Sequence, residues 1–144
     1  MTLIVICGAT ATGKSDLAVA LAEKLGGQII NADSMQLYKG MDIGTAKLSM
    51  EERKGIRHHL IDVLSVREEA SVAQYQNDAR NLIDQLLEQS IPTIVEGGTG
   101  LYIKSILDDL NFPDTDPEVR EKIARQAEEL GVDVMHERLT RLDP

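Results

Sequence analysis

Tryptophan is absent from these 144 residues, phenylalanine occurs once and aromatics make up only 3% of the chain, so aliphatic side chains must fill the core. A single cysteine, Cys7, excludes an intramolecular disulfide, and its place at the end of an apolar run reads as a buried structural thiol. No apolar run approaches the ~20 residues of a membrane span. The N-terminus also lacks the basic stretch, apolar stretch and cleavage site of an export signal, so a cytoplasmic protein with no membrane partner is expected. Internal repeats and low-complexity segments are missing too. What remains, 42% hydrophobic and 27% charged residues, is the composition of an ordinary globular domain.

Positive charge is scarce overall, and the formal net charge of -9 excludes a uniformly basic coat for nucleic acid. The distribution is uneven. From residue 108 to 144 there are 11 acidic and 5 basic residues, whereas Gln36 to His59 holds Lys39, Lys47, Arg53, Lys54 and Arg57 against three acids. That stretch is a candidate local basic face for a polyanion, with an ordinary solvated surface as the alternative.

Leu3-Ile4-Val5-Ile6-Cys7 is an unbroken apolar run that suits a strand buried on both faces of a parallel sheet. Leu17, Ala18, Leu21, Ala22 and Leu25 follow at helical spacing, stopped by Gly26-Gly27. Gln28 to Asn31 and His59 to Val63 read as further strands. Ser71 opens a helix with capping-box spacing, whose apolar stripe runs from Val72 to Leu87. Thr93-Ile94-Val95 makes a fourth strand, and Gly97 to Gly100 turns the chain into a short helix, Leu101 to Leu107. Strands alternating with helices imply an α/β fold, a parallel sheet with flanking helices whose ligands gather at the carboxyl ends of the strands.

After Asn111 no strand is visible. Phe112 to Pro117 is a turn-rich connector, with Asp116 as N-cap and Pro117 at the first helical position, followed by helices over 119–130 and 134–142. The expected organisation is a core over residues 1–110 and the start of a helical insertion over 111–144. The ending on Leu142-Asp143-Pro144 suggests that further chain follows.

One stretch carries chemistry. Gly8-Ala9-Thr10-Ala11-Thr12-Gly13-Lys14-Ser15 has the G-x-x-x-x-G-K-S spacing of a phosphate-cradling loop, between a strand and a helix as the mechanism requires. Backbone N–H groups and the positive end of the helix attract phosphate oxygens, Lys14 adds a point charge, and Ser15 is placed to ligate Mg²⁺. The fold is therefore P-loop NTPase-like. Such sites pair the loop with a strand-end carboxylate. Asp33 and Glu96 are the candidates; Asp33 could instead cap a following short helix, and Glu96 could be a turn residue. His58 and His59 cannot chelate one metal together, because neighbours on a strand point to opposite faces. His136 is a weaker candidate still.

Four stretches together resemble the tRNA dimethylallyltransferase (tRNA isopentenyltransferase) family: Gly8 to Ser15, Ala32 to Lys47, His58 to Asp62, and Gly97 to Tyr102. Asp116 to Arg120 resembles the opening of that family's helical insertion. The resemblance implies a prenyltransferase that moves a dimethylallyl group from dimethylallyl diphosphate to the N6 amine of the adenine 3′ of the tRNA anticodon. It implies that Gly8 to Ser15 hold the donor, and that Asp33 is the general base, supported in catalysis by Lys14 and Thr99. Asp33, Ser34, Met35, Gln36 and Thr99 would contact the tRNA anticodon loop, with Gln36 able to read the adenine edge. Ser15 and Asp33 would hold Mg²⁺, and a monomer is expected. Ala9 and Thr12 stand where Pro and Ser are common in the family, and Glu96 stands where an apolar residue is expected. Family members are longer, so the remainder of the sheet should follow Pro144, and the segment alone is expected to be inactive. Rival readings are an adenylate prenyltransferase, an ATP-dependent small-molecule kinase and a non-catalytic phosphate-binding module.

Overall fold

The computed structural model describes residues 2–113 and 116–144; Asp114 and Thr115 of the connector lie outside the described residues. The chain divides into two compact units, Met1–Leu110 and Asn111–Pro144.

In the first unit, strands β1 (Leu3–Cys7), β2 (Gln28–Asn31), β3 (His58–His59) and β4 (Thr93–Gly97) form one parallel sheet in the order β1-β4-β2-β3. Helices α1 (Lys14–Leu25), α2 (Val72–Glu88) and α3 (Gly100–Leu107) flank it. Side chains on a strand alternate between faces, and the core divides accordingly. Ile29 and Ile94 pack against Ala18, Val19 and Ala22 of α1, while Ile30 and Val95 pack against Tyr75, Ala79 and Ile83 of α2 and Tyr102 and Ile106 of α3. Each fully buried Ile or Val among these stabilises the fold by about 1.5–3 kcal/mol.

Several expectations shift at this level. The buried face of α1 is Ala18, Val19 and Ala22, while Leu17 and Leu25 are exposed, because small residues let the helix lie close on the sheet. β1 occupies a sheet edge and is only half-buried, so Cys7 at its end is exposed and not a core thiol. The strand expected over His59–Val63 shrinks to His58–His59, because Leu60 and Asp62 turn the chain with φ of 54° and 57°. α2 begins as read, with Ser71 Oγ accepting from Gln74 N at 3.1 Å. The Gln74 side chain bonds Asp78 instead of returning to Ser71, so the capping box is half made.

The second unit is a helix pair, α4 (Pro117–Leu130) and α5 (Val132–Leu142), joined at Gly131. Asp116 caps α4, its Oδ1 accepting from Glu118 N at 2.9 Å, with Pro117 at the first position. Neither helix has a buried residue. Among the described residues no helix is long and apolar enough to cross a membrane.

Candidate active site

The carboxyl ends of β1, β2 and β4 meet at one end of the sheet. From β1 the chain enters the loop Gly8 to Gly13 and then α1. The turn into the helix needs Gly13, whose φ of 79° is a left-handed conformation that side chains disfavour. Two donors converge on one loop carbonyl: Thr12 Oγ1 lies 2.8 Å and Lys14 Nζ 2.7 Å from Ala9 O. Residues 8–13 are all exposed, while Lys14 and Ser15 are half-buried at the start of α1.

From β2 the chain runs into Asp33. The residues after it form a turn and not the short helix considered for them; Asp33 Oδ1 accepts from Met35 N at 2.9 Å and Asp33 O from Gln36 N at 3.2 Å. Behind Asp33 sits Asn31, 2% exposed. Its Nδ2 donates to Asp33 O at 2.9 Å and Leu60 O at 2.8 Å, and its Oδ1 accepts from Asp33 N at 3.1 Å. Tyr75, stacked on Tyr102 with centroids 3.9 Å apart, donates its hydroxyl to Asn31 O at 2.9 Å, and burial pushes that phenol well above its ordinary range. Sequence reasoning treated Asn31 only as a strand residue. A polar amide closing an apolar strand was the available signal, since a buried amide must find partners.

From β4 the chain reaches Thr99. Ala32 N donates to Glu96 O at 2.7 Å and Thr99 N to Ala32 O at 3.1 Å, which draws the two strand ends together. Gly97 makes this possible: a Cβ there would collide with the backbone of Ala32. Thr99 Oγ1 then accepts from Ser34 N at 3.0 Å. Glu96, a candidate carboxylate with a turn residue as the alternative, is the penultimate residue of β4, 9% exposed, and its Oε1 accepts from Ser15 Oγ at 3.2 Å. Burial pushes its carboxyl above the ordinary range and the Asp33 charge adds to this, while the Ser15 hydrogen bond and the Lys14 charge pull it down.

Two clefts open beside these groups. One, of about 550 Å³, has Thr10 of the loop and Asp33 in its lining together with Met35, Met41, Ile43 and Thr45. The other, of about 520 Å³, is lined by Lys14, Ser15, Asp42, Lys47 and Glu52 among others. The segment between them is fixed from inside. Lys47, its side chain 2% exposed, donates to Tyr38 O, Asp42 Oδ1 and Asp62 Oδ1 at 2.8, 2.8 and 2.6 Å. Burial works against its charge, but the two carboxylates outweigh it and leave the ammonium pKa raised. Arg53 is also largely covered, bonding Leu48 O at 3.0 Å. The basic face read from this stretch is thus depleted: Lys47 and Arg53 hold the fold, and Lys39, Lys54 and Arg57 remain exposed.

Of the residues singled out from sequence, the loop with Lys14 and Ser15, Asp33, Ser34, Met35 and Thr99 therefore stand at one end of the sheet. Gln36 turns inward, donating Nε2 to Thr45 O at 3.0 Å. His58 and His59 take separate partners, Ile56 O and Gln28 Oε1. His136 lies in the second unit.

Known proteins are similar to this chain over nearly all of its length. The model of the IPP transferase family matches residues 36–144. The tRNA dimethylallyltransferase of Streptomyces griseus is 56% identical over 142 residues, which cover 99% of this chain and 46% of the relative. The full-length tRNA isopentenylpyrophosphate transferase of Bacillus halodurans superposes with a TM-score of 0.75 at 41% identity, over 99% of this chain and 48% of that one. A eukaryotic dimethylallyltransferase acting on tRNA gives a TM-score of 0.83 at 31% identity, over 100% of this chain and 36% of that one. The chain spans about half the length of the curated relatives it matches.

Proposed function

This chain belongs to the IPP transferase family, and we propose that it forms the donor-binding and proton-accepting part of a tRNA dimethylallyltransferase. The observation that carries the reading is the pairing of Thr10 and Asp33 on one cleft. A phosphate-cradling loop forms one wall, and Asp33, whose backbone N and O are bonded by Asn31, forms the other.

The donor is dimethylallyl diphosphate, its diphosphate seated on Gly8 to Ser15. The acceptor is the N6 amine of the adenine 3′ of the anticodon in the tRNA anticodon loop, admitted along Asp33 to Gln36 and Thr99. The amine attacks C1 of the dimethylallyl group, the new N–C bond forms as the C1–O bond breaks, and the bonding pair leaves with the diphosphate. The N6 proton passes to Asp33. The lone pair of the N6 amine is delocalised into the ring, so a base that takes the proton as the bond forms contributes roughly 10²–10⁴-fold. Lys14, which spends one of its three N–H donors on Ala9 O, and the loop amides would stabilise the charge that grows on the leaving group. The adenine must leave its stack to reach the cleft.

Mg²⁺ fits the donor set, since Ser15, Asp33 and Glu96 offer hard oxygens. The described residues hold no group of three or more His, Cys, Asp or Glu able to hold a metal unaided. Ser15 would hold the ion, with Asp33 the carboxylate expected from sequence, and when bound it supplies positive charge at the departing diphosphate.

Full-length protein incubated with Mg²⁺, labelled dimethylallyl diphosphate and unmodified tRNA should label the tRNA. Parallel incubations with AMP, and with labelled ATP plus candidate alcohols, test the adenylate prenyltransferase and kinase readings. Label on AMP but not on tRNA would overturn the assigned acceptor.

A further inference from the structure

Glu96 is a carboxylate set where an anion is to bind. The register of β1 on β4, Ile6 beside Glu96 and Cys7 beside Gly97, brings it to the point where the phosphate loop departs. Its Oε1 lies 3.2 Å from Ser15 Oγ, in the first turn of α1. Among the described residues that hydroxyl is the one hydrogen-bond donor to this side chain, and no lysine or arginine forms an ion pair with it. A diphosphate on the loop would meet this negative charge at close range, against the attraction of Lys14 and the helix terminus. Either a proton on Glu96 or a cation between the two anions removes the repulsion.

We propose that Glu96 is a ligand to a divalent cation that it shares with Ser15 and the diphosphate; the proposal rests on the donor reading of the loop given above. Ser15 and Glu96 are hard oxygen donors brought together from positions 81 residues apart. They make an incomplete shell, as suits Mg²⁺, which is commonly bound through one or two carboxylates with substrate phosphates and water completing its octahedron. Asp33 is the less suitable carboxylate: its Oδ1 accepts from Met35 N, whereas the hydrogen bond from Ser15 goes to Glu96. Glu96 as metal ligand leaves Asp33 to accept the proton.

Equilibrium dialysis of labelled pyrophosphate against the full-length protein, in saturating Mg²⁺ and in EDTA, tests this without turnover. Wild-type protein should bind pyrophosphate at least about tenfold more tightly with Mg²⁺. Glu96→Gln keeps the size of the side chain and still accepts from Ser15, yet it should lose most of that gain. In EDTA it should bind more tightly than wild type, because the repelling charge is gone. Glu96→Val, a β-branched residue suited to a strand, should repeat both changes and guards against a defect particular to glutamine. In wild-type protein, Mn²⁺ should give a protein-bound electron paramagnetic resonance spectrum only when pyrophosphate is present. A Glu96→Gln protein that keeps the full Mg²⁺ gain overturns the proposal and makes Glu96 a positioning group for Ser15. Wild-type protein that binds no pyrophosphate under either condition overturns the donor reading, and the proposal with it.

Discussion

On one wall of the cleft the loop Gly8 to Gly13 is exposed, and Thr12 and Lys14 both donate to a single carbonyl, Ala9 O; on the other, the Asp33 backbone is bonded by Asn31, while Thr99 holds Ser34 N and Gly97 lies against the backbone of Ala32. The difference suits the two tasks proposed for these walls. Anion binding uses main-chain N–H groups and a helix terminus, which a backbone path alone supplies. Proton transfer needs a carboxylate within hydrogen-bond reach of one atom, and that tolerance demands a buried, fully bonded support.

Exchange of functional side chains gives the largest expected effect. Asp33→Asn should lower the chemical step about 10²–10⁴-fold in single-turnover transfer to tRNA. It should change pyrophosphate affinity far less than Lys14→Ala does. Equal effects of both substitutions on both quantities would erase the distinction between the walls.

Glycine substitutions come next. Gly97→Ala forces a Cβ into the backbone of Ala32 and should cost about 1–3 kcal/mol or more in urea denaturation. Gly13→Ala meets no atom within 4 Å and carries only the left-handed backbone penalty of about 1–2 kcal/mol. The acceptor wall should therefore be the more sensitive of the two.

Protonation gives a smaller and graded effect. Burial holds the His58 and His59 imidazoles below their ordinary pKa, with the positive charge of Arg53 near His58 and of Arg57 near His59 adding to this. The unfolded chain then binds more protons than the folded one between the folded values and about 6.5, so stability rises with pH through that window. It is fully present above about pH 6.5 and is lost as pH falls toward the folded values. Because β3 leads into Leu60, whose carbonyl accepts from Asn31, melting curves should drop below that pH and flatten in His58→Gln. A His58→Gln protein whose melting temperature falls on acidification as steeply as that of wild type would contradict this.

At the bottom of the scale stands Lys54→Ala. It removes an exposed 3.5 Å pair with Glu23 on α1 and should change stability by less than about 0.5 kcal/mol.

The donor wall was the easier one to read in the sequence. A glycine spacing, a lysine and a hydroxyl are a local pattern, and the strand and helix around them carry their own apolar periods. Asp33 was legible from its place after an apolar strand. Its support was not, because Asn31, Leu60, Tyr75 and Thr99 meet only through the sheet order, and nothing local announces that order. Glu96 was misplaced for a related reason. Gly97-Gly98 signals a turn, but β4 lies between β1 and β2, and pairing on both sides carries the strand through Glu96 to Gly97. Edge position likewise explains why Cys7 is exposed. Lys47 and Arg53 looked like a surface charge until Asp42, Asp62 and the carbonyls around them were in place.

The stacked pair of Tyr75 and Tyr102 gives the acceptor wall its own optical signal. No tryptophan masks tyrosine emission or near-ultraviolet dichroism in this chain, and the third tyrosine, Tyr38, is not part of the stack, its hydroxyl accepting from Ala70 N. Tyr75 is bonded to the strand residue that holds Asp33, so a loosening of that support changes ring stacking and phenol environment at once. The state of the support beneath Asp33 can thus be followed in this chain without a label, by light absorbed in the core and not at the cleft.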